Sequence, residues 1–214
     1  MAEEYILTAV KTALDEEHNH KRGFRQSVDL NINLKDVDMN EPSNRVDDEI
    51  ILPEGRGEPA KIGVFATGEM ALNAKGVADA VFQPDDIEEI SGDTKRAKAL
   101  ADDFDFFTAE APLMPTIGKT LGRFFGPRGK MPRPLPPTAN IAEEVKKLRE
   151  TVRIRSRSKT TFHCLVGKED MNPEALAENI QALIKRLEEQ LERGRMNIKS
   201  IYVKTTMGSP VKVV

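Results

Sequence analysis

Two short segments of this sequence carry side chains that could act on phosphates or on a metal ion. Gly118-Lys119-Thr120 has the ending of a phosphate-binding loop, in which backbone N–H groups and a lysine hold phosphate oxygens. That loop needs a glycine at the position of Leu113, and Pro112 and Pro115 remove two backbone donors. The spacing therefore does not favour a nucleotide site.

The histidines and the single cysteine suggest no catalytic or metal centre. His18 and His20 lie in a polar turn, and His163 is the only other histidine. No further ligand cluster accompanies them, and the Ser, Cys and His residues are not arranged as in any known nucleophile elbow. We predict no catalytic residues, no metal site and no cofactor.

A run of alternating arginines is better suited to nucleic acid. Arg153, Arg155 and Arg157 alternate along a predicted strand, about 6.5–7 Å apart on one face. This spacing is comparable with that of phosphates along one nucleic-acid strand. Lys159 and Thr160 follow directly. An exposed, charged sheet face that discourages aggregation explains the same pattern.

The segment Lys204-Thr205-Thr206-Met207-Gly208-Ser209-Pro210 gathers small hydroxyls, a methionine and a glycine. Hydroxyls can bond to phosphate and 2′-OH groups, and glycine permits a close backbone approach. A strand that closes with a turn is the simpler interpretation of these residues.

The two ends of the chain predict one α+β domain, because both show helices with strands of period two. Val28, Leu30, Ile32 and Leu34 alternate with polar residues, which predicts a strand with one buried face. The other predicted elements of the two ends are a helix near 4–17, strands near 49–52, 152–157, 162–166 and 198–205, and a helix over 173–193. We expect the strands near 152–157 and 162–166 to pair as a hairpin, and Asn172 to cap the last helix.

The middle of the chain predicts an α/β domain, because strands alternate with helices. Ile62-Gly63-Val64-Phe65-Ala66 is almost continuously apolar, as in a parallel sheet covered on both faces. Further strands are expected near 80–82 and 104–108, and helices near 69–75, 85–102 and 141–150. A basic stretch rich in Gly and Pro precedes the last helix.

Composition and charge limit the class of protein and its location. The 214 residues include one cysteine, which excludes an internal disulfide framework, and no run of about 18 apolar residues occurs. The acidic start MAEEYILTAV is unlike a signal peptide, so we expect a soluble intracellular protein without a membrane partner. The net charge is −3, but residues 153–214 carry 12 basic against 7 acidic residues. The stretch 111–142 has no acidic residue, so local positive surfaces are expected.

Three motifs together resemble a known family. They are Lys204-Thr205-Thr206-Met207-Gly208, the run Gly122-Arg123-Phe124-Phe125-Gly126-Pro127-Arg128-Gly129-Lys130-Met131-Pro132, and Val166-Gly167-Lys168. In combination they closely resemble the ribosomal protein L-one family, the protein of the mobile lateral stalk of the large subunit. The resemblance covers essentially the whole chain and is closest to the archaeal form, which has no N-terminal extension.

The resemblance implies a fold and a function. The fold is a discontinuous two-layer α+β domain from residues 1–60 and 153–214, with a Rossmann-like three-layer α/β domain inserted at 61–152. The implied function is structural: a cytoplasmic protein of the large ribosomal subunit, not an enzyme, that is monomeric when free. The implied partners are large-subunit rRNA, exit-site tRNA whose release it helps, and its own mRNA leader or coding region, whose translation it represses.

The resemblance also implies which residues contact RNA, all of them in the terminal domain. They are Phe24, Ser27, Arg157, Lys159, Thr160, Ser200, Thr205, Thr206, Met207 and Gly208. A secondary RNA contact is expected from basic residues of the inserted domain, Lys119, Arg123, Arg128 and Lys130.

Two alternatives stay open on the residues alone. The inserted domain could bind a nucleotide as an enzyme or sensor, for which a shift in melting temperature with ATP or GTP would be the simplest sign. A purely structural scaffold would have no affinity for RNA in free solution.

Overall fold

The computed structural model describes residues 2–136 and 139–213. In these residues the strands, in chain order, are β1 (Ser27–Leu34), β2 (Asp47–Ile51), β3 (Ile62–Phe65), β4 (Ala80–Phe82), β5 (Phe106–Glu110), β6 (Arg133–Leu135), β7 (Thr151–Arg155), β8 (Thr161–Lys168), β9 (Ile198–Thr205) and β10 (Val211–Lys212). The helices are α1 (Ala2–Leu14), α2 (Gly68–Ala74), α3 (Pro84–Gly92), α4 (Thr94–Asp103), α5 (Met114–Thr120), α6 (Gly122–Arg128), α7 (Ile141–Arg149) and α8 (Pro173–Gln190).

The chain divides into two compact units. The terminal unit comprises Met1–Pro59 and Glu150–Val214, and the inserted unit is Ala60–Arg149. The observed limits fall one residue earlier at the first crossing and three earlier at the second than the sequence suggested. Residues 150–152 lie with the terminal unit because β7 begins at Thr151 and pairs with β2.

The terminal unit is a two-layer α+β structure. Its main sheet is antiparallel with the order β10-β9-β1-β8. Along β1 the side chains of Val28, Leu30, Ile32 and Leu34 are buried in one core with apolar residues of α1 and α8. Asn172 caps α8 as predicted, because its side chain accepts from the backbone N–H of Glu174.

The predicted hairpin between the strands near 152–157 and 162–166 is wrong. Strand β7 pairs with β2 in a separate two-stranded sheet, whereas β8 pairs with β1. Ser156 explains the change of partner, because its backbone N–H donates to the Val46 carbonyl and its hydroxyl accepts from the Val46 N–H. Arg157 follows with φ 52°, a left-handed conformation that turns the chain away from β7.

The inserted unit is a three-layer α/β structure. Its four strands are parallel, in the order β4-β3-β5-β6. Strand β3 is buried on both faces: Ile62 and Val64 face one core, and Phe65 faces the other. The first core is lined by α2 and α7 and the second by α3, α4, α5 and α6. The predicted fold class, with its inserted Rossmann-like part, is confirmed.

Two segments of the inserted unit differ from the sequence pattern. The helix expected near 85–102 is two helices, because the Asp93 side chain accepts from the N–H groups of Lys95 and Arg96 and starts α4 there. The Gly- and Pro-rich stretch forms α5 and α6. Phe125 of α6 stacks on Phe107 with the ring centroids 4.6 Å apart, so buried aromatic contacts outweigh the weak helix propensity of this stretch.

Candidate nucleic-acid interface

The ladder between β1 and β9 brings the loop after β9 to the start of β1. Val28 pairs with Thr205, so Thr206, Met207 and Gly208 lie beside Ser27. The backbone N–H of Thr206 donates to the Ser27 carbonyl at 3.0 Å. We name residues Thr205–Gly208 the terminal loop.

Side chains of different chemistry surround this contact. Phe24 is 52% exposed and Met207 is 57% exposed, both large apolar groups facing water. Ser27 accepts a hydrogen bond from Lys168 Nζ at 3.3 Å, and the same ammonium forms an ion pair of 3.0 Å with Glu58. Aromatic, thioether, hydroxyl and ammonium groups therefore meet at one end of the sheet.

Thr205 differs from the rest of the terminal loop because its side chain is buried. It is 0% exposed, and its hydroxyl donates to Asn19 Oδ1 at 2.9 Å. The structure thus places inside the fold a residue for which the resemblance implied contact with RNA. Its hydroxyl holds the terminal loop to Asn19.

Gly208 is required by a close approach of two backbone segments. A Cβ atom at this position would clash with the Thr205 hydroxyl and lie 2.7 Å from the His18 carbonyl oxygen. The next residue, Ser209, donates its N–H to that carbonyl at 3.1 Å. The terminal loop is therefore held against the turn that follows α1.

The segment that presents Phe24 is anchored by its neighbour. Arg25 donates twice to Asp170, at 2.8 and 2.6 Å, and once to the Gly57 carbonyl at 3.1 Å. Hydrogen bonding from Arg25 lowers the pKa of the Asp170 carboxyl below its ordinary value. The exposed ring of Phe24 thus projects from a fixed backbone.

The remaining predicted RNA contacts lie at the other end of the sheet. The Thr160 carbonyl accepts a hydrogen bond from the backbone N–H of Leu34, and Ser200 pairs with Asn33. Arg157 and Lys159 belong to the exposed turn before β8. Six residues of β1 separate this group from Ser27, and at the usual rise of a strand they span a distance of about 20 Å. The predicted site residues therefore form two groups.

Apart from Ser200, the side chains of the sheet face between the two groups were not among the predicted site residues. Its side chains are those that alternate with the buried ones, and none of them is fully buried. They form three rows across β8, β1 and β9: Leu165, Asp29 and Lys204; His163, Asn31 and Tyr202; Thr161, Asn33 and Ser200. The polar half of the period-two pattern was the available signal.

The rows of this open face differ in how far they are internally bonded. In the last row Thr161 donates to Asn33 Oδ1 at 2.8 Å, and Asn33 Nδ2 donates to Ser200 Oγ at 2.9 Å. In the middle row, Asn31, His163 and Tyr202 make no side-chain hydrogen bond within the described part of the chain. The middle row thus keeps donors and acceptors for another molecule.

Burial raises the pKa of two ionisable groups of the sheet, Asp29 and Cys164. It raises the pKa of Asp29, and the attraction of His163, Lys204 and Lys168 opposes this rise. On the buried face, loss of hydration raises the pKa of Cys164 to about 12, which keeps the thiol protonated and unreactive at neutral pH.

The alternating arginines do not form a free phosphate track. Arg153 donates to both oxygens of Asp47, at 2.8 and 2.9 Å, and Arg155 lies 3.3 Å from the same carboxylate. Pairing of β2 with β7 brings Asp47 opposite Arg155. Of the three, Arg157 alone is in the exposed turn.

The basic residues of the inserted unit are also largely paired. Arg128 donates to both oxygens of Asp102, at 2.6 and 3.1 Å, and Lys130 donates to the Ala101 carbonyl. Arg123 lies over the Phe124 ring at 4.6 Å. Lys119, in the last turn of α5, is exposed. Asp102 of α4 therefore neutralises part of the positive charge of the acid-free stretch.

The alternative sites find no support in the geometry. Gly118-Lys119-Thr120 ends α5 and does not form the loop before a helix that a phosphate site needs. Within residues 2–136 and 139–213 no three His, Cys, Asp or Glu side chains are grouped so as to hold a metal ion. No helix of those ranges is long and apolar enough to cross a membrane.

A discontinuous α+β unit with an open polar sheet face, interrupted by a parallel-sheet unit, defines a two-unit α/β protein. The model of the Ribosomal protein L1p/L10e family matches residues 14–209, so the chain belongs to that family. The predicted family is confirmed, and membership makes the chain a non-enzymatic ribosomal protein of the cytoplasm, as predicted.

Archaeal relatives match over almost their whole length. The large ribosomal subunit protein uL1 of Methanocella arvoryzae is 54% identical over 214 residues, all of both chains. The proteins of the same name from Haloferax volcanii and Methanothrix thermoacetophila are 53% and 52% identical, covering 97% and 99% of both chains.

Proposed function

We propose that this chain is a constituent of the large ribosomal subunit and binds a folded segment of rRNA at the lateral stalk through its terminal unit. The observation that carries this proposal is the convergence of Phe24, Ser27, Thr206, Met207 and Gly208 at one end of the open sheet face. Aromatic and thioether groups can pack on bases and sugars, while hydroxyls and backbone groups can bond to 2′-OH groups.

The RNA would extend from the terminal loop along the open face towards Arg157, Lys159, Thr160 and Ser200. Asn31 and Tyr202 lie midway on this path and offer an amide, a hydroxyl and an aromatic ring. Asp29 and Lys204 carry opposite charges there, and Asp47 neutralises much of the nearby arginine charge. Affinity would therefore rest on shape and close contacts more than on phosphate attraction.

The experiment is binding of the protein to a lateral-stalk rRNA transcript over a range of salt concentrations, with Met207→Ala as the site variant. Leu72→Ala is the matched control, because Leu72 is an apolar side chain of the inserted unit that is 65% exposed. We expect a shallow salt dependence and at least about tenfold weaker binding for Met207→Ala, with no change for Leu72→Ala. Weak binding with a steep salt dependence, unaffected by Met207→Ala, would contradict the proposal.

We further propose that the same site binds a similar motif in the protein's own mRNA and thereby represses translation. A single site for both RNAs requires that they compete. The rRNA transcript should displace a labelled mRNA leader or coding fragment, and Met207→Ala should weaken both complexes in parallel. Simultaneous binding of both RNAs would overturn this part of the proposal.

The inserted unit would make a secondary contact, with exit-site tRNA whose release it assists. The exposed Lys119 is the group that favours this contact, since Arg128 is paired with Asp102 and Lys130 with a carbonyl. The test of this contact is binding of deacylated tRNA to Lys119 variants.

A further inference from the structure

A buried amide lies directly beneath the terminal loop. Gln26 is 0% exposed and precedes Ser27 at the start of β1. Its Oε1 accepts the backbone N–H of Met207 at 2.9 Å. Its Nε2 donates to Asn19 Oδ1 at 2.6 Å and to Glu169 Oε2 at 3.2 Å. One side chain thus joins the terminal loop to the turn after α1 and to the turn before α8.

The orientation of this amide is determined by Glu169. An ionised carboxylate only accepts hydrogen bonds, so the groups that face it must be donors. Glu169 accepts from the Gln26 backbone N–H at 2.8 Å, from Gln26 Nε2 and from Asn19 Nδ2, the last at 3.2 Å. The Nε2 end of Gln26 therefore faces Glu169, and its Oε1 must face Met207.

The second amide of the network follows the same logic. With Nδ2 of Asn19 directed at Glu169, its Oδ1 accepts both from Gln26 Nε2 and from the Thr205 hydroxyl. Thr205 and Met207 are the two ends of one short segment, so Asn19 and Gln26 hold both sides of Thr206. None of Gln26, Asn19 and Glu169 is an exposed residue that could itself cover a large RNA surface.

We propose that Gln26, oriented by Glu169 and Asn19, is a positioning residue for RNA recognition: it fixes the backbone of Met207 so that the Met207 side chain and Gly208 meet the RNA in one conformation. This inference rests on the proposed function, because it assigns Gln26 a role in the same site. Binding by a loop that is already ordered avoids the entropy cost of fixing it in the complex.

The first test is Gln26→Met, which keeps the length of the side chain and removes its polar atoms. Asn179→Leu is the matched control: Asn179 is also 0% exposed and bonds to Glu54, Gly55 and Val166, away from the terminal loop. Both variants should lower the free energy of unfolding. Only Gln26→Met should weaken binding of the lateral-stalk transcript by the folded protein, by about three- to tenfold.

A double-mutant cycle separates positioning from general destabilisation. If Gln26 acts through Met207, Gln26→Met should cause less than about twofold further loss in a Met207→Ala protein. The milder Glu169→Gln, which replaces an acceptor by a donor, should show the same non-additivity. Independent, additive losses, or equal losses for Gln26→Met and Asn179→Leu, would overturn the inference.

Amide hydrogen exchange distinguishes failure of this inference from failure of the proposed function. Gln26→Met should accelerate exchange of the Met207 N–H, while the Thr206 N–H, bonded to Ser27, should change less. If exchange at Met207 does not change, Gln26 does not position the loop, whatever the RNA result. If exchange accelerates but Met207→Ala leaves RNA binding unchanged, the proposed RNA site is wrong, and this inference falls with it.

Discussion

The hydroxyl of Thr206 accepts a hydrogen bond of 3.0 Å from the backbone N–H of Ser27, whose carbonyl accepts the Thr206 N–H at the same distance. This side-chain bond extends the ladder of β1 and β9 beyond the last strand residue, Thr205. The hydroxyl also lies 3.3 Å from the Ser27 carbonyl, to which it donates. A hydroxyl has a second acceptor position, and that position is what Thr206 can offer to an RNA 2′-OH group.

The first prediction concerns the two roles of this hydroxyl. Thr206→Val keeps the shape of the side chain but leaves the Ser27 N–H without its acceptor. We expect the free energy of unfolding to fall by about 1 kcal/mol, and the affinity for the rRNA transcript to fall as well. Urea denaturation and RNA titration measure the two effects. Thr206→Ser keeps the hydroxyl and should retain most of both; if Ser and Val variants behave alike, the hydroxyl is not the group that matters.

The second prediction concerns the backbone contact at Gly208. Gly208→Ala places a Cβ 2.7 Å from the His18 carbonyl oxygen, so the loop or the turn must move. Overpacking of this kind should lower the free energy of unfolding by about 1–3 kcal/mol, and the displaced loop should bind RNA more weakly.

Gly118→Ala is the control for that substitution. Gly118 lies within α5, and a Cβ there would have no atom within 4 Å. Because alanine has a higher helix propensity than glycine, Gly118→Ala should stabilise the protein by up to about 1 kcal/mol. Equal stability of the Gly208→Ala variant and the wild type would show that the His18 contact adapts without cost.

The third prediction is a pH dependence at Asp29. Burial raises the pKa of Asp29 above its ordinary value of 3.8, so the folded protein binds this proton more tightly than the unfolded chain does. The charged carboxylate therefore lowers stability at neutral pH, and this cost disappears as the pH falls below the unfolded pKa.

Asp29→Asn should consequently unfold at higher denaturant concentration than the wild type near pH 7, with a difference that shrinks as the pH approaches about 4. Asp15, exposed after α1, provides the matched Asp15→Asn substitution, which should change stability by less than about 0.5 kcal/mol. A gain from Asp29→Asn that is constant with pH would assign the effect to packing instead of ionisation.

The sequence was sufficient for the elements whose signal is local. Alternation from Val28 to Leu34 predicted β1 because one face of the strand is buried and the other is open. The apolar run around Val64 predicted a strand covered on both sides, because both faces of β3 are buried. Asn172 was a readable cap because the acceptor and the N–H that it satisfies are two residues apart.

Contacts between distant segments could not be predicted in this way. Strand β8 is the strand nearest to β7 in sequence, yet β7 pairs with β2, which begins at Asp47. No local sequence pattern distinguishes β2 from β8 as the partner of β7. Gln26 and Glu169 are 143 residues apart, and each alone resembles an ordinary surface residue. Asp102 similarly lies outside the acid-free stretch and forms an ion pair with Arg128. The surface formed by this stretch is therefore less positive than its sequence suggests.

The last prediction follows from that pairing and concerns deacylated tRNA and the inserted unit. Arg128 already donates to both oxygens of Asp102, and this pair is solvated, so its field is weak at a distance. Lys119 is exposed and belongs to no such pair within the described residues. Lys119→Ala should therefore weaken tRNA binding and reduce its salt slope by about 1, whereas Arg128→Ala should have a smaller effect. Asp102→Asn provides the opposite test: it removes a negative charge and releases Arg128, so tRNA should bind more tightly with a steeper salt slope. If Lys119→Ala and Asp102→Asn both leave the titration unchanged, the inserted unit does not contact tRNA through this surface, while the rRNA site of the terminal unit is unaffected by that outcome.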